Sequence, residues 1–389
     1  MDRGKSSQNQ VTRRDFLKLA GLGAAGVIAV SCKADLNSTK PTAILTSVSE
    51  PEVSAKFEHK AAIAQARDYD PAILHNEISG LLDHLGGLDD VVRSGDSVAL
   101  KVNLVGGSYY KPYPGVDPVE SYVTHPNVTR ALGELLLDAG ARQLYIVEAL
   151  FDHDSFARWG YTDVADSLGA TLIDLNNPDP YTEFASMNVG DGWFIYDNFK
   201  LNPLLNDVDA FISVSKMKCH FSVGVTHSMK NLVGLTPVQH YRTSTDHYWR
   251  SDLHGGDYGP KRLPRAIIDL NRARPINLAL VDGVKAAEGG EVPRGSFRPV
   301  EPGVLISGKN PVATDAVATA VMGFDPTAEY PAAPFLHGEN YLNLARDLGL
   351  GSNDLEKIEV AGVPIEDVRF EFSPSTKQSY NDDHTVQVM

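Results

Sequence analysis

From Asp96 onward the chain alternates short aliphatic runs with stretches of helical periodicity, and few folds accept that pattern. Residues 98–104 are β-rich and follow the turn signal Ser94-Gly95-Asp96. A long Gly/Pro/Tyr loop, residues 106–125, leads to a helix opened by Pro126-Asn127-Val128. Its apolar positions Val128, Leu132, Leu135, Leu136 and Ala139 recur at helical spacing, and Gly140 closes it. Residues 144–148, 171–175, 210–214, 276–281 and 304–307 read as further strands. Helices are expected near 155–168, at 263–273, and after Asn310-Pro311, where proline takes the first helical position. Strands alternating with helices at this spacing predict an α/β fold: a mostly parallel sheet with helices on both faces. Residues 184–203 read as a β-hairpin insert turning at Gly190-Asp191-Gly192. The domain is expected to span 58–372, with a polar, frayed tail at 373–389.

The N-terminus reads differently. Thr12-Arg13-Arg14-Asp15-Phe16-Leu17-Lys18 resembles the twin-arginine export consensus, and an apolar stretch of Gly, Ala, Leu, Val and Ile follows at 19–30. Twelve such residues are too few for a spanning helix, which needs about 20. Ala29-Val30-Ser31-Cys32 looks like a lipoprotein cleavage box, with Cys32 the residue to be lipidated. The expectation is a signal peptide over 1–32 and a flexible tether over 33–57, rich in Ser, Thr, Lys, Ala and Glu. That places the protein across the cytoplasmic membrane, in the periplasm or at the cell surface. The twin-arginine translocation machinery would be its partner in export, and a lipid anchor its one membrane attachment.

Charge and cysteine count exclude several classes. A formal net charge of −15 argues against general nucleic-acid binding, which needs a positive footprint. The two cysteines, Cys32 and Cys219, rule out a disulfide framework, a CxxC pair and a four-cysteine metal or iron–sulfur site.

Ligands of open α/β sheets collect at the carboxyl ends of the strands. Lys101 and Asn103 share one face at the end of the first such strand, and Lys216 and Lys218 stand in the same relation at the end of another. Glu148 and Asp282 close two more. Residues 210–245 contain no Asp or Glu, where even placement of the chain's 50 acidic residues would put about five. The same window carries Lys216, Lys218, Lys230, Arg242, His220, His227 and His240. Either a cationic pocket for a small anion lies here, or acids from elsewhere in the fold neutralise a basic patch. His240, His247 and His254 recur every seven residues, which would align three imidazoles for a metal on a continuous helix. Gly255-Gly256 and the Ser/Thr-rich stretch argue against that helix. Cys219, beside Lys218 and His220, is either a low-pKa nucleophile or a buried structural thiol, the commoner outcome.

The same residues carry a family resemblance. Ser215-Lys216-Met217-Lys218-Cys219-His220, followed by the segment from Gly224 to Gly234 that contains Lys230-Asn231, resembles the signature of the DUF362 family. Lys101-Val102-Asn103 resembles it too, although the family usually has proline in the middle. Thr124-His125-Pro126, Val281-Asp282-Gly283, residues 288–295 and 310–316 follow in order, so the likeness covers about 96–325. It implies an α/β domain whose polar signature residues converge, and it brings no settled activity. Many members carry a ferredoxin-type cysteine cluster; this chain lacks those cysteines, so no iron–sulfur cluster is expected.

Together these readings predict an exported enzyme acting on a small anionic substrate bearing phosphate or carboxylate. Lys216, Lys218 and Asn231 would fix the anion, with Lys101 and Asn103 completing the shell. Lys230 or His220 would exchange the proton, and Asp282 and Asp315 would orient those groups or hold a divalent ion. The alternative is a lipid-anchored protein that binds an anion or metal without catalysis. A third reading makes the tyrosine-rich loop, with Tyr109, Tyr110, Tyr113 and Tyr122, a docking surface or a lid.

Overall fold

A computed structural model describes residues 57–109, 116–247, 249–255, 259–292 and 296–376. The signal segment, Cys32 and all of the tether except Phe57 lie outside the described residues.

The strands are β1 (His59–Gln65), β2 (Ser97–Lys101), β3 (Gln143–Glu148), β4 (Thr171–Asp174), β5 (Ala185–Asn188), β6 (Asn198–Leu201), β7 (Ala210–His220), β8 (Gly224–Thr226), β9 (Leu278–Glu288), β10 (Arg298–Val300), β11 (Val304–Gly308) and β12 (Ile358–Gly362). The longer helices are α1 (Pro71–His84), α2 (Pro126–Asp138), α3 (Tyr161–Leu168), α4 (Arg262–Ala273), α5 (Pro311–Val321) and α6 (Tyr341–Asp347). Their starts follow local chemistry. Asp70 caps α1 ahead of Pro71, the His125 ring nitrogen accepts from Asn127 N–H ahead of Pro126, and Asn310 caps α5 ahead of Pro311.

The main sheet runs β12-β1-β11-β9-β7-β2-β3-β4, with β10 on β9 and β8 on β7. Pairs β9·β7, β7·β2, β2·β3, β3·β4 and β1·β12 are parallel; β11 runs antiparallel to both its neighbours. Alternate strand residues feed two apolar layers. Ile212 and Val214 of β7 pack with Leu74, Ile78, Leu132, Val164 and Leu168 from α1–α3. Phe211 faces the other way, toward Ile267, Leu270, Val317 and Leu342 from α4–α6. The α/β architecture with helices on both faces therefore stands. So does the hairpin insert, since β5 and β6 pair antiparallel as a separate two-stranded sheet. The Asp269 carboxylate accepts three backbone N–H groups, from Phe194, Ile195 and Tyr196, and anchors that insert to α4.

Three expectations change. The strand expected at 210–214 continues to His220, every residue of it buried, so Lys216, Lys218 and His220 lie within a strand. The helix expected over 155–168 is broken by Gly160 in a left-handed conformation. The tail does not fray at Ser373. Its N–H donates to Glu288 at 2.6 Å, its carbonyl accepts from the Cys219 thiol, and Ser375 is buried.

Candidate functional site

Strands β2, β3 and β4 succeed one another on one side of β2, whereas β7 and β9 lie on the other. The crevice between the carboxyl ends of β2 and β7 is thus the switch point of the sheet, where open α/β sheets take ligands. A cleft of about 170 Å³ opens there. Its walls are Lys101, Asn103 and Glu148 at the strand ends, His220 at the end of β7, Lys230, Asn231 and Gly234 on a 3-10 turn (Lys230–Leu235), Arg250 and His254, and Glu291.

The floor is a closed hydrogen-bond system. Lys101 Nζ lies 3.0 Å from Glu148 Oε1 and donates to Asn231 Oδ1 at 3.1 Å. Asn231 Oδ1 also accepts from Asn103 Nδ2 at 3.0 Å, and Asn231 Nδ2 donates to the Lys101 carbonyl at 2.9 Å. Lys218 Nζ reaches Asn103 Oδ1 at 2.8 Å and the Tyr122 carbonyl at 2.7 Å. The second Glu148 oxygen accepts from Leu104 N–H at 2.8 Å. Gly234 lets the turn close on this layer, because a Cβ there would collide with Glu148 Oε1 and lie 2.6 Å from Lys101 Nζ.

Two cations of the walls have no carboxylate at ion-pair distance among the described residues. Lys230 makes neither hydrogen bond nor ion pair there, although nine-tenths of it is buried. Burial outweighs the opposing pull of the Glu291 and Glu148 carboxylates and, with Lys101 and Arg250 nearby, brings its amine down to about 8. Arg250, also buried, donates Nε to the Thr236 carbonyl at 2.9 Å and Nη2 to the Ala149 carbonyl, and covers the Phe151 ring at 5.1 Å. Carboxylates from elsewhere do enter the cleft, as the neutralised-patch reading anticipated. Glu148 is taken by Lys101, however, and Glu291 Oε2 accepts the Phe221 N–H at 3.2 Å.

The two imidazoles carry opposite tautomers, set by the main chain. His254 Nδ1 lies 2.9 Å from the Arg250 carbonyl and must donate to it, which leaves its Nε2 a lone pair. His220 Nδ1 accepts the Ser222 N–H at 3.2 Å, so its Nε2 bears the hydrogen. Their ring centres stand 6.5 Å apart. Burial and the neighbouring cations hold His220 well below its ordinary value and His254 at about 4, so both are neutral at pH 7.

Of the residues expected from sequence, Lys101, Asn103, His220, Lys230 and Asn231 therefore meet in the cleft, with Lys218 directly beneath. Lys216 and Asp282 do not line it. They are cross-strand partners on β7 and β9, with Nζ and Oδ2 3.0 Å apart, and Tyr69 joins them, accepting from Lys216 at 2.7 Å and donating to Asp282 at 3.1 Å. Asp282 also accepts the His125 N–H at 3.0 Å, so this set belongs to the interior. Asp315 lies elsewhere, fully buried, accepting from the Ser228 hydroxyl and from the Ser228 and Met229 N–H groups. The histidine stripe does not form. His240 packs on Phe184, His247 bonds Ser251, and only one helical turn (Ser251–His254) holds His254 in the cleft. Among the described residues no three His, Cys, Asp or Glu side chains gather as a metal set. Cys219 is the structural thiol, fully buried and pushed up to about 12. Tyr122 sits in the core rather than on a docking surface, while residues 110–115 of its loop lie outside the described residues.

Sequence reasoning missed Arg250, His254 as a cleft residue, and Glu291. Arg250 stands five residues beyond the acid-free window, and Glu291 just past the end of β9, so neither shared the pattern that exposed the rest. A larger hollow of about 490 Å³ beside Gly289 and Phe297 offers less chemistry, for its Arg298 is already paired with Glu288 at 2.7 Å.

An α/β protein with a lysine- and arginine-walled cleft at its sheet's switch point is the class these features define. The chain belongs to the family described as "Domain of unknown function (DUF362)", which matches residues 98–320, more than half of its length. It is 26% identical over 265 residues to a thylakoid-associated protein of Synechocystis sp., covering 68% of this chain and 75% of that one. It is also similar, at 12% identity and a TM-score of 0.30, to a crystal structure of a Thermotoga maritima protein. That match takes in 64% of this chain and 57% of the other.

Proposed function

We propose that the cleft binds a small anion bearing carboxylate or phosphate and moves a proton on it. The observation that carries this reading is the pair Lys230 and Arg250, two buried cations with no carboxylate at ion-pair distance among the described residues. Burying a charge without a partner is costly, and an anionic substrate entering the cleft would relieve that cost. Lys230 suits proton exchange because a group at about 8 holds and releases a proton near neutral pH. His220 Nε2–H supplies a donor beside it. Asp282, tied to Lys216, has no such role in this reading, and no divalent ion is invoked.

The test is to incubate the protein with small carboxylates and phosphate esters in D2O and follow C–H signals by NMR, with calorimetry alongside. Exchange that vanishes in Lys230→Met supports the enzyme. Calorimetric binding without exchange shifts the reading to capture without chemistry. Absence of binding across the panel overturns both.

We also propose export by the twin-arginine route and lipid attachment at Cys32, on the strength of residues 12–32. Among the described residues no helix is long and apolar enough to cross a membrane. Arg13→Lys with Arg14→Lys is expected to retain the protein in the cytoplasm, and Cys32→Ser to release it from the membrane fraction. Unchanged fractionation of both variants would refute the proposal.

A further inference from the structure

Among the described residues the Lys230 amine lines the cleft with no hydrogen bond and no ion pair, whereas Lys101 Nζ is held by Glu148, Asn231 and the Val102 carbonyl. An acid–base lysine needs only a proton path. A lysine with no hydrogen-bond partner among the described residues, lining a cleft that an acceptor imidazole and a donor imidazole also line, is also arranged as a nucleophile.

We infer that Lys230 forms a Schiff base with the carbonyl of a small oxo acid whose carboxylate pairs with Arg250. This rests on the reading that the cleft binds a substrate anion, and it narrows that anion to one carrying a ketone or aldehyde. The lone pair of Lys230 Nζ attacks the carbonyl carbon and the C=O π pair moves to oxygen. Both amine hydrogens leave with that oxygen as water, so the sum is amine plus carbonyl to imine plus water. His254 Nε2, the bare nitrogen, ferries the protons. His220 Nε2–H hydrogen-bonds the oxygen while it becomes hydroxyl and departs.

Size and charge agree. A cleft of about 170 Å³ has room for a small organic acid. Among the described residues Arg250 has no carboxylate at ion-pair distance, because Glu148 is paired with Lys101, so its guanidinium is the cation placed for the carboxylate. An amine at about 8 is about 10% free base at pH 7, some 300-fold more than a lysine at 10.5.

The experiment is reductive trapping on the full chain. The protein is incubated with pyruvate or acetoacetate and borohydride at pH 7, digested, and each lysine's adduct quantified by mass spectrometry, with calorimetry of the same two acids in parallel. The expected result is near-stoichiometric adduct at Lys230, about a hundredfold or more above the exposed Lys261 and Lys357, and no equivalent adduct in Lys230→Arg. Labelling spread evenly over lysines, or undiminished in Lys230→Arg, overturns the inference. Calorimetric binding with no adduct also overturns it and leaves the anion site standing. Neither binding nor adduct removes both.

Discussion

Lys101 and Asn231 hold each other twice: the ammonium donates to the side-chain carbonyl at 3.1 Å, and the side-chain amide donates back to the Lys101 main-chain carbonyl at 2.9 Å. They are 130 residues apart in sequence. The double contact locks the 3-10 turn onto the end of β2, and so places Lys230, one residue before Asn231, at the rim of the same crevice.

Asn231→Ala is expected to destabilise the protein by about 3 kcal/mol, because it strips partners from Lys101, Asn103 and the Lys101 carbonyl in a buried setting. Urea unfolding measures it. Stability within about 0.5 kcal/mol of the parent would mean that Asn231 serves only the ligand.

Lys216 and Asp282 have a structural task, and a double-mutant cycle separates it from catalysis. Lys216→Met or Asp282→Leu alone leaves one buried charge and is expected to cost about 3–5 kcal/mol. The double variant should recover most of that loss and keep the parent's anion affinity. Affinity lost in the double variant would return Asp282 to the site.

How far sequence could see follows from the same residues. The parallel core strands were legible because apolar runs alternate with helical periodicity, Lys101 and Asn103 because polar residues close several such runs, Lys230 because it falls in the acid-free basic window, and Asn231 through the family resemblance. β1 and β12 were not. They pair with each other across almost 300 residues, outside that alternation, and no local signal announces such a contact. Lys216 and Lys218 sit two apart on one strand face and read as a single pair. Only register showed that Asp282 lies opposite Lys216, whereas Lys218 turns to Asn103. Arg250 was invisible for a further reason. Its place depends on the Thr236 and Ala149 carbonyls, and a sequence does not show which main-chain acceptors will converge.

Acid sensitivity should be marked. Burial brings His125 and His227 down to about 3 and His254 to about 4, so the folded state resists protons that the unfolded chain takes up near 6.5. The unfolded state therefore binds more protons below that value, and stability falls as pH drops from about 6.5 toward 4. His227→Phe should flatten part of this slope in unfolding midpoints measured between pH 4 and 7. A slope identical to the parent's would show that His227 is not held neutral.

Lys230 should reveal itself in two titrations with opposite meanings. Its amine is at about 8 when folded and near 10.5 when unfolded, so the folded chain sheds a proton that the unfolded chain keeps. That gap costs the folded state about 3 kcal/mol below pH 8 and fades as pH rises from about 8 to about 10.5. Lys230→Met is therefore expected to be the more stable protein at pH 7 by about that amount, and to lose its advantage at high pH. Anion affinity runs the other way. It should fall in the parent as pH rises through about 8, when the ammonium is lost, and show no such step in Lys230→Met. Urea unfolding and phosphate calorimetry at pH 7 and pH 9 decide it. A variant no more stable than the parent at pH 7, with the affinity step retained, would mean that the cleft's charge resides elsewhere, with Arg250 the first residue to replace.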